Sequence, residues 1–215
     1  MMPTFLIIAS WVELLVAVDE KIALAAQRAR CPWCGGRLDA AHYCRKVFGC
    51  ERKEDSKLGI RWSWCCRRKG CRRRLTPPSV LFWGRLQFVA PLVLALLGEE
   101  PNSDTGRQLQ RRIECSRATW WRWRERWSEL WEGATGRMLA GMTLLSGAMR
   151  GSVSTVLSLW PGSWPYQAAM LLLTIHPLTG GPSWERAHQP HGSLDPQSMG
   201  FADELARLKD EPRSF

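Results

Sequence analysis

The chain has 215 residues and a formal net charge of +10, with 30 Lys and Arg against 20 Asp and Glu. That length suits one compact domain or two small ones, and the ordinary apolar fraction of 45% is enough for a core, which excludes a chain too polar to fold. Most of the basic residues are Arg, which pairs bidentately with phosphate and with guanine edges, so the excess fits a polyanionic partner such as DNA or RNA.

Residues 1–30 read as one amphipathic helix. Phe5, Ile8, Trp11, Val12 and Leu15 lie near helical spacing, and the segment ends in cations that the helix dipole favours. Glu13 interrupts the apolar run and the first basic residue is Lys21. The pattern fits neither a secretory signal nor a membrane span. The expected compartment is therefore the reducing cytoplasm. There, eight clustered Cys point to metal rather than to disulfides.

Residues 31–85 hold seven of those Cys among many Gly, Arg and Trp, and read as short strands and turns. Ile60 to Cys65 alternates like a single strand. Cys31-Pro-Trp-Cys34-Gly-Gly has the form of a zinc knuckle: two Cys three apart wrap a tight turn, and Gly accepts the backbone after the second. Cys65-Cys66-Arg-Arg-Lys-Gly-Cys71 is the source of the other two ligands. The preferred set is Cys31, Cys34, Cys66 and Cys71. Cys65 is the alternative to Cys66, because neighbours on a strand face opposite ways. Four thiolates close the coordination sphere, which makes the expected zinc structural and not catalytic. A thioredoxin-like redox site is disfavoured because Gly-Gly and a second Cys cluster follow the motif. His42, Cys44 and Cys50 lie between the knuckles and offer ligands for a second site that the fold does not need.

Seven Arg or Lys and no acid lie between Arg61 and Arg74. Part of that charge balances a tetrathiolate. The surplus, on Arg67, Arg68, Lys69, Arg72, Arg73 and Arg74, is expected to meet phosphates.

Residues 86–132 turn helical. Pro91 suits a first helical turn, with Gly98 as the end. A linker from Glu99 to Ser103 leads to a helix from Asp104 to Arg112. Glu114-Cys115 makes a turn, with Cys115 expected to pack as a small apolar residue, and Ser116 caps a helix to about Glu132. Trp120, Trp123, Trp127 and Leu130 or Trp131 share one face, which should be core. Arg117, Trp121, Arg122 and Glu125 lie toward the other side. This is the pattern of a helix-turn-helix whose second helix enters a major groove. The chain has thirteen Trp and only two Tyr, so its Trp must fill the core or form stacking surfaces.

Residues 133–179 read as partly helical. The tail, 180–215, is rich in Pro, Gly, His and Ser and reads as largely disordered, with a short helix from Gly200 to Lys209. Glu185, Asp195 and Asp203 have no strand-rich context to hold catalytic metals. His188, His191, Tyr43 and Tyr166 form no nuclease pattern, so no enzymatic activity is expected. The expected class is α+β, mostly helical: a small four-cysteine zinc ribbon, a helix-turn-helix and further helices.

The order CPxCGG, CC-x4-C-RRR-x-TPPS, Phe-Trp-Gly-Arg and SRATWWRWRERW resembles small bacterial proteins carried with insertion sequences. They are similar to the zinc-ribbon and helix-turn-helix front ends of transposases. The resemblance spans roughly Arg30 to Trp131. It implies zinc on Cys31, Cys34, Cys66 and Cys71, and DNA contact by Arg117, Trp121 and Arg122. It also implies a nucleoid-associated, non-catalytic accessory of a mobile element that binds duplex DNA beside a separately encoded transposase or recombinase. The 31 residues between Cys34 and Cys66 exceed the gap such ribbons often have. The residues also leave open a free-standing transcription regulator, a protein-interaction adaptor or an RNA-binding ribbon.

Overall fold

Apolar residues three and four apart commit the first described segment to a helix, α1 (Ala9–Arg28). The structure, a computed structural model, describes residues 9–48, 57–83, 88–132, 153–179 and 202–209. Phe5 and Ile8 of the predicted helix lie outside them. Leu14, Leu15, Val18, Ile22, Ala23 and Ala26 are buried, while Glu13 and Lys21 face solvent. Arg28 stands in the last turn, where a cation complements the helix dipole. Arg30 then reverses the chain in the left-handed region, with φ 65°, directly before Cys31.

The Cys-rich region folds as two small antiparallel sheets. One has the order β1 (Leu38–Ala40), β4 (Trp64–Cys66), β5 (Arg74–Leu75), with Leu38 opposite Cys66 and Trp64 opposite Leu75. The other pairs β2 (Tyr43–Cys44) with β3 (Ile60–Arg61). The single strand expected from Ile60 to Cys65 is thus two strands in two sheets. The break falls at Trp62 and Ser63, where the Ser63 N–H leaves the ladder and donates to His42 Nδ1 at 3.1 Å. Ala23 and Ala26 of α1 join Leu38, Trp64, Leu75, Cys31 and Cys66 in a small apolar cluster. Two Ala at the contact let the strands approach the helix closely.

Three helices follow. α2 (Ala90–Leu97) is buried at every residue and has Pro91 in its first turn, where the missing N–H costs nothing. α3 (Asp104–Ile113) is capped by Ser103, whose hydroxyl accepts from the Gly106 N–H at 2.9 Å. α4 (Arg117–Glu132) is capped by Ser116, which accepts from the Thr119 N–H at 3.1 Å. Glu114, with φ 55°, reverses the chain between α3 and α4. Gly106 lets the two helices meet: a Cβ there would lie 2.7 Å from the Trp120 ring and against the Glu100 carbonyl. Later come α5 (Val153–Leu157), α6 (Trp164–Ile175) and α7 (Ala202–Lys209). Leu205 buries α7 in the core, against α6. Residues 133–152 and most of the tail lie outside the described residues. The architecture is α+β. No helix among the described residues is long and apolar enough to cross a membrane.

One large apolar cluster takes side chains from α1, from Val80 to Trp83, and from α2 through α7. Aromatic stacks tie it to the Cys-rich region. Phe48 stacks on Phe88 with centroids 5.4 Å apart, and Phe88 meets Trp123 of α4 edge-on at 5.0 Å. Trp83 meets Trp127 at 5.7 Å.

A buried polar hub locks these parts together. The Asp19 carboxylate on α1 accepts from the Ser79 hydroxyl and from the Val80 N–H at 2.6 Å. Thr179 accepts from the Ser79 N–H at 2.8 Å and donates to the Ser79 carbonyl at 2.7 Å. Arg61 is also buried and donates to the Pro77 carbonyl at 2.7 Å. It therefore drops out of the basic run as a surface cation. Asp19→Ala is expected to cost about 1–3 kcal/mol for each donor it orphans. Burial raises the Asp19 carboxyl to about 6. Its contribution is therefore complete below about 4, the unfolded value, and is lost as pH rises through the folded one. Thermal melts should show the lead of the wild type over Asp19→Ala shrinking from pH 4 to 7, and a constant lead would contradict this.

Candidate metal centre

Two tight turns bring four sulfurs to one point. The first begins just after Arg30, which reverses the chain beyond the end of α1. The Cys34 N–H and the Gly35 N–H both donate to the Cys31 carbonyl, at 3.3 and 2.8 Å, and the Cys31 N–H donates to the Gly36 carbonyl at 2.9 Å. Gly35 closes this turn with φ 67°, a conformation that costs a Cβ-bearing residue about 1–2 kcal/mol. The second turn follows β4. The Cys71 and Arg72 N–H groups both donate to the Arg68 carbonyl, at 2.9 and 3.1 Å, and Arg72 takes φ 45°.

Cys31, Cys34, Cys66 and Cys71 thereby place all four Sγ atoms within 4.8 Å of one another. Cys31 lies 3.7 Å from Cys71, and Cys34 lies 3.5 Å from Cys66. A tetrahedral ion with metal–sulfur bonds of about 2.3 Å, as zinc makes, requires sulfurs about 3.8 Å apart. A disulfide requires about 2.05 Å. The four cysteines can hold a metal ion.

The surroundings suit thiolates held by a cation. Burial pushes the Cys66 thiol up to about 12 and raises Cys31 as well. Hydrogen bonding from the Gly36 backbone holds Cys34 down, to about 7. The backbones of Trp33 and Arg68 act the same way on Cys31 and Cys66. Each of these three thiols thus has a backbone donor two residues on. Gly36 leaves room for the cluster, because a Cβ there would sit 3.0 Å from Cys66 Sγ and 3.3 Å from Cys34 Sγ.

Strand alternation turns one of the adjacent cysteines inward, and pairing with β1, which sets Leu38 opposite Cys66, makes it Cys66. Trp64 and Cys66 of β4 are buried, while Cys65 is half-exposed and its Sγ lies 3.6 Å from the Arg72 carbonyl. His42 and Cys44 form no second cluster with ligand spacing among the described residues. His42 stands edge-on to Trp62 and Trp64, Cys44 is exposed, and Cys50 lies outside the described residues. Cys115 is buried and its thiol is pushed up to about 11 by that burial.

The basic residues around the second turn are exposed but not alike. Arg67 pairs with Asp39 at 2.9 Å, and Arg68 donates to the Cys34 carbonyl at 3.4 Å. Arg73 lies over Trp33 at 5.4 Å. Arg74 lies over Tyr43 at 5.6 Å and donates to the Ala41 carbonyl at 3.1 Å. Lys69 and Arg72 are exposed at the turn itself. On α4, Trp120, Trp123 and Trp127 are buried, and Arg117, Trp121, Arg122 and Glu125 are exposed. The side chains of Leu130 and Trp131 lie outside the description. Arg117 donates to Asn102 Oδ1 at 2.8 Å, and Arg122 donates to Thr119 Oγ1 at 2.9 Å. Asn102, in the linker before α3, carries no signal in the sequence. Nor does the Asp19–Ser79–Thr179 hub, since its partners are up to 100 residues apart.

Comparison with models of protein families, with curated proteins and with solved structures yields no match.

Cys66→Ser is expected to abolish binding of one metal ion per chain and to unfold the Cys-rich region, whereas Cys65→Ser retains the ion. Metal analysis of the purified variants checks this. Equal metal content in both would refute the assignment of Cys66.

Proposed function

We propose that this chain is a duplex-DNA-binding protein, with zinc in the four-cysteine site stabilising a ribbon and with α3 and α4 acting as a helix-turn-helix. The observation that carries the reading is the sidedness of α4. Its three central Trp are buried, while Arg117, Ala118, Trp121, Arg122 and Glu125 are exposed at its N-terminal half. That half of a recognition helix meets base edges. Leu109, Ile113 and Cys115 are buried around the turn, Gly106 of α3 lies against the Trp120 ring of α4, and α2 packs against both helices.

Each residue has a role in this reading. Arg117 and Arg122 offer guanidinium forks to guanine O6 and N7, and Asn102 and Thr119 hold those forks in place. Lys69 and Arg72 contact phosphates, with Arg67, Arg68, Arg73 and Arg74 beside them. A sulfur-only tetrahedral set is how structural zinc is bound, and it leaves no open position for catalysis. The resemblance to insertion-sequence proteins extends the reading to a non-catalytic accessory of a mobile genetic element. It would work in the cytoplasm, at the nucleoid, beside a separate transposase or recombinase.

The test is selection from a random duplex pool by the zinc-loaded chain. One enriched motif is expected. On that motif Arg117→Ala should cost about 1–3 kcal/mol, whereas Arg72→Ala should weaken all duplexes alike and lower the salt slope by about one. Salt-sensitive binding without enrichment would contradict sequence-specific reading.

A further inference from the structure

Trp121 stands apart from the other Trp of its helix. Half of the residue is exposed, the largest exposure of any large apolar side chain among the described residues. It shares the open face of α4 with exposed Ala118 one turn before it, and with Arg117, Arg122 and Glu125. The Arg124 guanidinium lies 5.9 Å from the ring centroid, and Arg124 itself donates to the Glu99 carbonyl at 3.1 Å. A large apolar surface thus stands half exposed among charged neighbours, with a cation near the ring.

We infer that Trp121, with the Ala118 methyl beside it, is the specificity residue that reads the C5-methyl group of a thymine in the major groove. The inference rests on the DNA-binding reading above. Within the major groove the thymine methyl is the one base-edge group that favours an apolar partner; the other edges present donors and acceptors, which suit Arg117, Arg122 and Glu125. An indole N–H can donate to a phosphate oxygen, but that contact carries no sequence information. Uracil lacks the methyl, and the deep, narrow major groove of A-form RNA admits no such side chain, so the same geometry selects DNA over RNA.

The experiment uses the full, metal-loaded chain and the duplex enriched by selection. Each thymine is replaced in turn by deoxyuridine, which deletes only the methyl group, and affinity is measured at fixed salt. The wild type should lose about fourfold at one thymine, the equivalent of burying a single carbon group. Trp121→Ala should bind the thymine and deoxyuridine duplexes equally while still unfolding in one cooperative thermal melt. Trp121→Phe should keep part of the difference. An enriched motif with no methyl-sensitive thymine, or a methyl effect that persists in Trp121→Ala, would overturn the inference while leaving α4 as the reader. Absence of any enriched motif would overturn both.

Discussion

The four Sγ atoms lie within 4.8 Å of one another; as thiolates they would repel, and a cation held at their centre would turn that repulsion into attraction. The Cys-rich strands are two or three residues long, and the apolar cluster beneath them is small. With so little core, a metal ion held by the four cysteines would supply folding energy to the two sheets. Cys31 and Cys66 belong both to the cluster and to the ligand set. The ligand geometry and the packing of β1, β4 and β5 are therefore one constraint.

α1 carries that constraint into the rest of the molecule. Its Ala23 and Ala26 face the cysteine cluster, while Leu15, Val18 and Ile22 enter the large core. Between these two faces sits Asp19, whose carboxylate fixes the loop that leads from β5 toward α2. The aromatic contacts from Phe48 through Phe88 to Trp123 add a second tie, from the strand region to the buried side of α4. The outward face of α4 is thus oriented by packing that begins at the cysteines. In the proposed function this makes the metal module a support for the reading helix as well as a phosphate contact.

Much of this was legible locally. Pro91, Gly98 and Ser116 mark helix ends because each carries its own chemistry at that position; α2 begins and ends, and α4 begins, within one residue of those marks. The Cys31–Cys34 turn was legible for the same reason. Strand alternation showed that only one of Cys65 and Cys66 could face inward, but not which. The phase comes from pairing with β1, which places Cys66 opposite Leu38. What stayed hidden depends on distant partners. Asp19 looks like a polar-face residue of an amphipathic helix until Ser79 and Val80 reach it. Arg61 looks like one more surface cation until Pro77 covers it. The break between β3 and β4 follows from His42 taking the Ser63 N–H, a contact that no spacing rule encodes.

The most direct measurement is X-ray absorption at the zinc edge on the folded, full-length protein. One zinc with four sulfur neighbours at about 2.3 Å, and no nitrogen or oxygen in the shell, is expected. A folded protein without zinc, or a mixed shell that includes imidazole or water, would contradict it.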